Sequence, residues 1–153
     1  MIAVVPEVIF VCYGNICRSP IAEALLQKAL EERLGSGHAF LVTSAGVGAT
    51  DGTPASRGTK DVLKARGIDF RHHRARYLTP AMARGAELVV CMEAQQVAAV
   101  RRMVEDPGKV VLMGEGVPDP IGAGPDMYER TAALIEGQIQ PLVDRLLAER
   151  STA

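Results

Sequence analysis

Two places in this chain carry residues that could do chemistry together. The first is the run Val11-Cys12-Tyr13-Gly14-Asn15-Ile16-Cys17-Arg18-Ser19-Pro20. Before it lies Val8-Ile9-Phe10-Val11, an apolar, β-branched stretch that reads as a buried parallel strand. After it, Ser19 suits a helix N-cap and Pro20 the first helical position. A strand–loop–helix turn of this kind is an anion site. The backbone N–H groups of residues 13 to 18 can curl toward one centre, and the helix start adds free donors and the positive end of its dipole. Gly14 tolerates positive φ, and Asn15 is among the few other residues that do. Arg18 offers a planar fork matched to two phosphate oxygens. Cys12 would face the phosphorus, with its thiolate favoured by donors, dipole and guanidinium together. The Ser19 hydroxyl can donate to that sulfur and make it a better leaving group.

The second place is Val117-Pro118-Asp119-Pro120-Ile121-Gly122, where two prolines fix the backbone on either side of one carboxylate. Alone, Pro-Asp-Pro is a turn. Beside a cysteine that accepts a phosphoryl group, Asp119 has a use. It can protonate the leaving oxygen and then, as a carboxylate, activate water.

The elements that must position these residues alternate between strand and helix. A helix is expected over 19–34, with Ala22, Leu25, Leu26, Ala29 and Arg33 on one face and Gly35 as its stop. A second strand over 39–43 ends at Ser44-Ala45-Gly46, and a Gly-rich loop covers 47–53. Pro54 is expected to open a helix that runs to about Arg66 and ends at Gly67. A short helix starts at 78–80, a third strand spans 87–92, a helix 93–104 and a fourth strand 109–113. The last helix is expected over 125–150, with a buried stripe of Leu134, Ile135, Ile139, Leu142, Val143 and Leu146, and with Tyr128 as a packing residue. This alternation predicts one α/β domain over 1–153, its parallel sheet built with right-handed crossovers.

Composition narrows the function. A net charge of −1, 4% aromatic residues and no Trp argue against a nucleic-acid binder. Cys12, Cys17 and Cys91 show no disulfide-framework spacing, which fits a reducing, cytoplasmic setting. The apolar N-terminal run contains Glu7 and lacks a basic leader, so it reads as strand rather than signal peptide. No stretch is apolar enough for a membrane span. His72 and His73 are adjacent, and adjacent side chains rarely converge on one ion; no acidic or cysteine cluster joins them, so no metal site is expected.

Cys12-Tyr13-Gly14-Asn15-Ile16-Cys17-Arg18-Ser19-Pro20 resembles the signature loop of the low-molecular-weight protein tyrosine phosphatases, and the likeness runs nearly end to end. The resemblance implies a three-layer α/β fold with a four-stranded parallel sheet in the order 2-1-3-4. It implies hydrolysis through a phosphocysteine on Cys12, with Arg18 and Asp119 catalytic, Tyr13, Gly14, Asn15, Ile16, Cys17 and Ser19 contacting the phosphate, and no metal or other cofactor. Phosphorylated proteins or peptides would be the partners and inorganic phosphate the product, acting as a monomer or weak dimer. It further implies that Ser44 hydrogen-bonds Asn15, and that His73, in His73-Arg74-Ala75-Arg76, supports the loop through that serine. Taken by themselves, Ser44 reads equally well as a turn serine and His73 as a surface histidine.

This chain departs from the family where the substrate ring would lie. Ile121 and the run Ala49-Thr50-Asp51-Gly52 stand where aromatic walls are usual, which leaves Tyr13 at the mouth. Asp51-Gly52-Thr53-Pro54-Ala55-Ser56 is closer to a bacterial branch that includes protein arginine phosphatases, but that branch has Thr where this chain has Ile16. Phosphotyrosine is therefore the expected substrate and phosphoarginine the alternative. An arsenate reductase would need two further cysteines in relay, and Cys91, expected to be a buried core thiol, has no partner nearby. A mere phosphate-binding module would have no use for Cys12 and Asp119. The closeness of Cys17 to Cys12 suggests a reversible disulfide that would shield the nucleophile.

Overall fold

A computed structural model describes residues 5–151; Met1–Val4 of the apolar N-terminal run and the last two residues lie outside the described part. Four strands, β1 (Glu7–Cys12), β2 (Leu41–Gly46), β3 (Leu88–Cys91) and β4 (Val110–Leu112), form one sheet in the order β2-β1-β3-β4. All three pairings are parallel, so the sheet and its strand order are as expected. Five helices connect or close it: α1 (Arg18–Leu34), α2 (Arg57–Lys64), α3 (Pro80–Gly85), α4 (Ala94–Arg101) and α5 (Pro125–Ser151).

The strand period of two sorts the core into two layers. Val8, Phe10 and Cys12 of β1 and Leu88 and Val90 of β3 pack with α1, α2 and α5. Ile9 and Val11 of β1 and Val89 and Cys91 of β3 pack on the other face with Leu78, Ala83, Val97 and Val100. Helices thus cover both faces, as a parallel sheet requires.

The structure moves several expected boundaries and faces. Helix α1 begins one residue early, with Cys17 rather than Ser19 at the N-cap, so Pro20 sits third in its first turn, where a missing N–H costs nothing. The inward face of α1 includes Ile21 and Leu30, while Arg33 is exposed, because the first half of the helix is enclosed on several sides. Helix α2 starts three residues later than Pro54. Pro54 instead forms an isolated bridge with Arg74, and Ser56 caps the helix by accepting from Thr59 N. On α5 Leu134 is exposed. The buried set Tyr128, Ala132, Ile135, Ile139, Val143 and Leu146 advances by three or four residues, and Leu134 falls one position, about 100°, off that stripe.

Candidate functional site

Strand β1 is the inner strand paired to both β2 and β3, and its C-terminal end delivers Cys12 to the edge where crevices form in open α/β sheets. Gly46 lies in register with Cys12, and a Cβ there would strike Tyr13 O and come within 2.9 Å of Asn15 N. The close approach of the β2 end to the loop therefore depends on glycine at that position, which the sequence reading treated only as a strand end. Within the loop, Asn15 takes the left-handed conformation at φ 56, and Gly14 does not use its freedom to do so.

Asn15 is fully buried and every polar group it has is engaged. Its backbone N–H points at Cys12 Sγ (3.3 Å). Its amide Nδ2 donates to Ser19 Oγ (2.8 Å) and Ser44 Oγ (2.9 Å). Its Oδ1 accepts from Arg76 N (2.9 Å), and its carbonyl takes a hydrogen bond from His73 Nε2 (2.8 Å). Ser19 Oγ lies 2.9 Å from Cys12 Sγ. The structure thus brings Ser44 and His73 to the loop, but by different routes. His73 reaches Asn15 directly rather than through Ser44: its Nε2 is used on the Asn15 carbonyl, and the Ser44 hydroxyl proton goes to Glu23 Oε1 (2.6 Å). His73 stacks on Phe70 at 5.3 Å, and burial pulls its pKa below the ordinary histidine value. The imidazole is therefore neutral at neutral pH, with its proton on Nε2, since a carbonyl can only accept.

Arg18 is 2% exposed and tied down from behind. One terminal nitrogen, Nη1, donates to Val117 O (2.9 Å) and meets Glu93 Oε1 at 3.1 Å; the other, Nη2, lies 3.5 Å from Asp119 Oδ2. Its Nε is buried and has no hydrogen-bond partner among the described residues. An orphaned guanidinium N–H is costly, and here it sits at the N-terminal turn of α1, where Cys17 makes no side-chain capping bond. Asp119 is held near the arginine by its turn: its Oδ1 accepts from Ile121 N (3.1 Å).

Cys12, Tyr13, Gly14, Ile16, Cys17, Arg18, Asp119 and Ile121 line one cavity of about 320 Å³. Tyr13 and Ile121 are exposed at its mouth. The Tyr13 ring lies over Gly48, where any Cβ would collide with it, so the small run after β2 supports the ring rather than adding a wall of its own. Cys17 and Cys12 are both free, buried thiols. Cys17 Sγ hydrogen-bonds Ser56 Oγ and Tyr128 Oη, each at 3.3 Å. Burial raises the Cys17 thiol pKa and pushes Tyr128 up to about 12. Tyr128 is therefore more than packing: it ties α5 to the loop. Cys91 belongs to the opposite layer of the core, where burial pushes its thiol up to about 12 and leaves it inert.

Sequence reasoning missed Glu23, Glu93, Arg76, Gly46 and Thr59, whose hydroxyl binds Ile16 O (2.8 Å). Each acts on the loop across a long sequence gap or from an ordinary helix position. Only the buried face of α1, which includes the turn around Glu23, carried a readable signal.

Comparison with known proteins agrees with this architecture. The family described as low molecular weight phosphotyrosine protein phosphatase matches residues 7–152. The chain is 35% identical over 146 residues to the low molecular weight protein-tyrosine-phosphatase Etp of Escherichia coli K12, covering 92% of this chain and 94% of that one. The crystal structure of the tyrosine phosphatase AmsI of Erwinia amylovora superposes with a TM-score of 0.83 at 31% identity, covering 94% of each chain. The YwlE arginine phosphatase of Geobacillus stearothermophilus superposes with a TM-score of 0.84 at 29% identity, covering 96% of each.

Proposed function

Since the chain belongs to the low molecular weight phosphotyrosine protein phosphatase family, we propose that it hydrolyses phosphotyrosine in protein substrates through a phosphocysteine formed on Cys12. The observation that carries this reading is the buried, unpartnered Nε of Arg18, in a cavity that also holds Cys12 and Asp119. A phosphate there satisfies the guanidinium with its oxygens and presents its phosphorus to the sulfur.

In the first step the Cys12 thiolate attacks phosphorus, the ester P–O bond breaks, and the Asp119 carboxyl gives its proton to the leaving phenolate oxygen. In the second, water attacks phosphorus while Asp119 takes the water proton. The S–P bond breaks, and Ser19 Oγ–H stabilises the returning thiolate. Loop amides and Arg18 hold the equatorial oxygens through both steps. The residues account for every proton and electron pair without a metal. Among the described residues no helix is long and apolar enough to cross a membrane, and a cytoplasmic location accords with the three free cysteines.

Phosphoarginine is a specific second reading, because the fold superposes equally well on an arginine phosphatase and the run Asp51-Gly52-Thr53-Pro54-Ala55-Ser56 resembles the branch that includes such enzymes. Ile16 favours the aromatic ester, since it lines the cavity with hydrocarbon where a polar guanidinium gains no partner. Turnover of phosphotyrosine, phosphoarginine and phosphoserine peptides in EDTA, by wild type and Asp119→Ala, tests this. Preferred phosphotyrosine turnover that is lost in Asp119→Ala supports it; preferred phosphoarginine turnover overturns the substrate, and dependence on metal overturns the mechanism.

A further inference from the structure

Glu23 lies on α1 outside the cavity that holds Cys12. It lines a separate cavity of about 230 Å³ with Ser44, His72, His73, Arg74 and Arg76. Its carboxylate is the end of a hydrogen-bonded chain whose direction follows from counting protons. The Ser44 hydroxyl has one proton and gives it to Glu23, so toward Asn15 the Ser44 oxygen can only accept. The Asn15 amide has two protons, and the second goes to Ser19 Oγ. The amide cannot flip, because its oxygen is held by Arg76 N. Ser19 keeps its own proton, and toward a thiolate at Cys12, which has none to give, Ser19 Oγ is the donor. The order of donation runs from Asn15 outward in both directions, to Glu23 through Ser44 and to Cys12 through Ser19.

We propose that Glu23 is a positioning residue: it takes the Ser44 hydroxyl proton, so that Ser44 turns a lone pair to the Asn15 amide and, together with Arg76 N, holds the amide that orients Ser19 beside the sulfur that leaves in the second step. The proposal rests on the phosphatase reading for its kinetic consequence, not for the geometry.

The arrangement also makes the chain responsive to pH. Protonation on Oε2 leaves Oε1 a carbonyl that still accepts from Ser44, so the chain keeps its order while its last acceptor loses the charge that strengthens the bond. Burial raises the Glu23 pKa, opposed by the Ser44 bond and by the charges of Arg76 and His72. The other groups around it are His73 and Arg74 in the same cavity, with Lys28, Glu31, Glu32 and Asp69 along an adjoining groove that Glu23 also lines. The charge-assisted bond is present above the Glu23 pKa and weakens as pH falls through it.

The test measures kcat and KM for p-nitrophenyl phosphate against pH in wild type, Glu23→Ala, Glu23→Gln and each combined with Ser19→Ala. We expect Glu23→Ala to lower kcat about tenfold, the worth of one hydrogen bond, with KM little changed. Glu23→Gln should restore most of that rate, because its amide oxygen accepts the same proton, and should remove one group from the acid limb of kcat. In the Ser19→Ala background neither Glu23 substitution should matter. Equal losses in both backgrounds, or an unaltered acid limb in Glu23→Gln, would overturn the proposal, even where Glu23→Ala fails to fold. A readout independent of turnover is the Asn15 side-chain amide in NMR: its shift should follow a titration at Glu23 in wild type and lose that step in Glu23→Gln. An amide that ignores Glu23 sinks the chain, whereas a wild type with no turnover sinks the phosphatase reading alone.

Discussion

Strands β1 and β3 are parallel neighbours, each ends in a buried cysteine, and each turns into a helix, yet the anion site proposed above lies only at the first turn. At the β3–α4 turn, Gln96 folds back and its Oε1 accepts from Met92 N (3.1 Å) and Glu93 N (3.0 Å), while Gln95 and Gln96 amides donate to Glu93 Oε2. That helix entry satisfies itself. At the β1–α1 turn the loop is longer, Asn15 bends it through the left-handed region, and Cys17 makes no side-chain cap. A helix N-terminus becomes a binding site only if its own side chains leave it uncapped. The two turns also cooperate: Glu93, at the entry of the self-satisfied one, grips the Arg18 guanidinium of the open one at 3.1 Å.

The contrast can be broken first at the two cysteines. Cys12→Ser should cut turnover of p-nitrophenyl phosphate by on the order of 10⁵-fold, since a hydroxyl replaces the nucleophile. Cys91→Ser should leave kcat nearly intact but lose about 1–3 kcal/mol in urea unfolding, because it buries a hydroxyl in an apolar layer. Equal kinetic losses would erase the distinction. Next, Arg18→Lys keeps the charge but loses the fork, so kcat/KM should fall about 10²–10³-fold with the fold intact by circular dichroism. A fall of less than tenfold would mean that a point charge is enough.

Gln96→Ala sharpens the comparison from the other side. It should cost about 1 kcal/mol of stability, because Glu93 N loses its acceptor while Met92 N keeps Val11 O, with little change in kcat. A large kinetic loss would show that the α4 entry shapes Arg18 more than the geometry suggests. The smallest effect concerns His73. Its folded pKa is depressed below 6.5, so the folded state binds its proton less readily than the unfolded chain. The stability it contributes is present above that ordinary value and is lost as pH falls through it toward the folded pKa. Urea midpoints of wild type should therefore drop more steeply on acidification than those of His73→Gln, which donates to Asn15 O without titrating.

The motif around Cys12 was readable because its information is local. A β-branched run, a Gly-Asn pair and a helix start lie within a dozen residues, and they set the backbone that aims the amides. Helix edges were less readable where a distant partner competed, as when Arg74 took Pro54 into a bridge and Ser56 became the cap. Leu134 misled because a leucine beside the stripe looks the same in sequence as one on it.

Taken alone, the sequence determined the fold class and the family, and it offered a candidate phosphate loop and a candidate acid for its thiol. The fold class follows from the alternation of strand and helix and the candidate loop from short-range spacing, whereas the family and the role of Asp119 come through the resemblance of the signature loop. Only the tertiary structure decided what surrounds Asn15 beyond the Ser44 contact and the histidine support that the resemblance implied. Sheet register sets Gly46 beside Cys12 and Cys91 beside Val11, so one cysteine faces the loop and the other the opposite core. The chain then brings Ser44, His73, Arg76 and Glu23 to a single buried amide and its neighbours. No local pattern records those contacts, because each is fixed by how segments far apart in sequence must share one set of donors and acceptors without water.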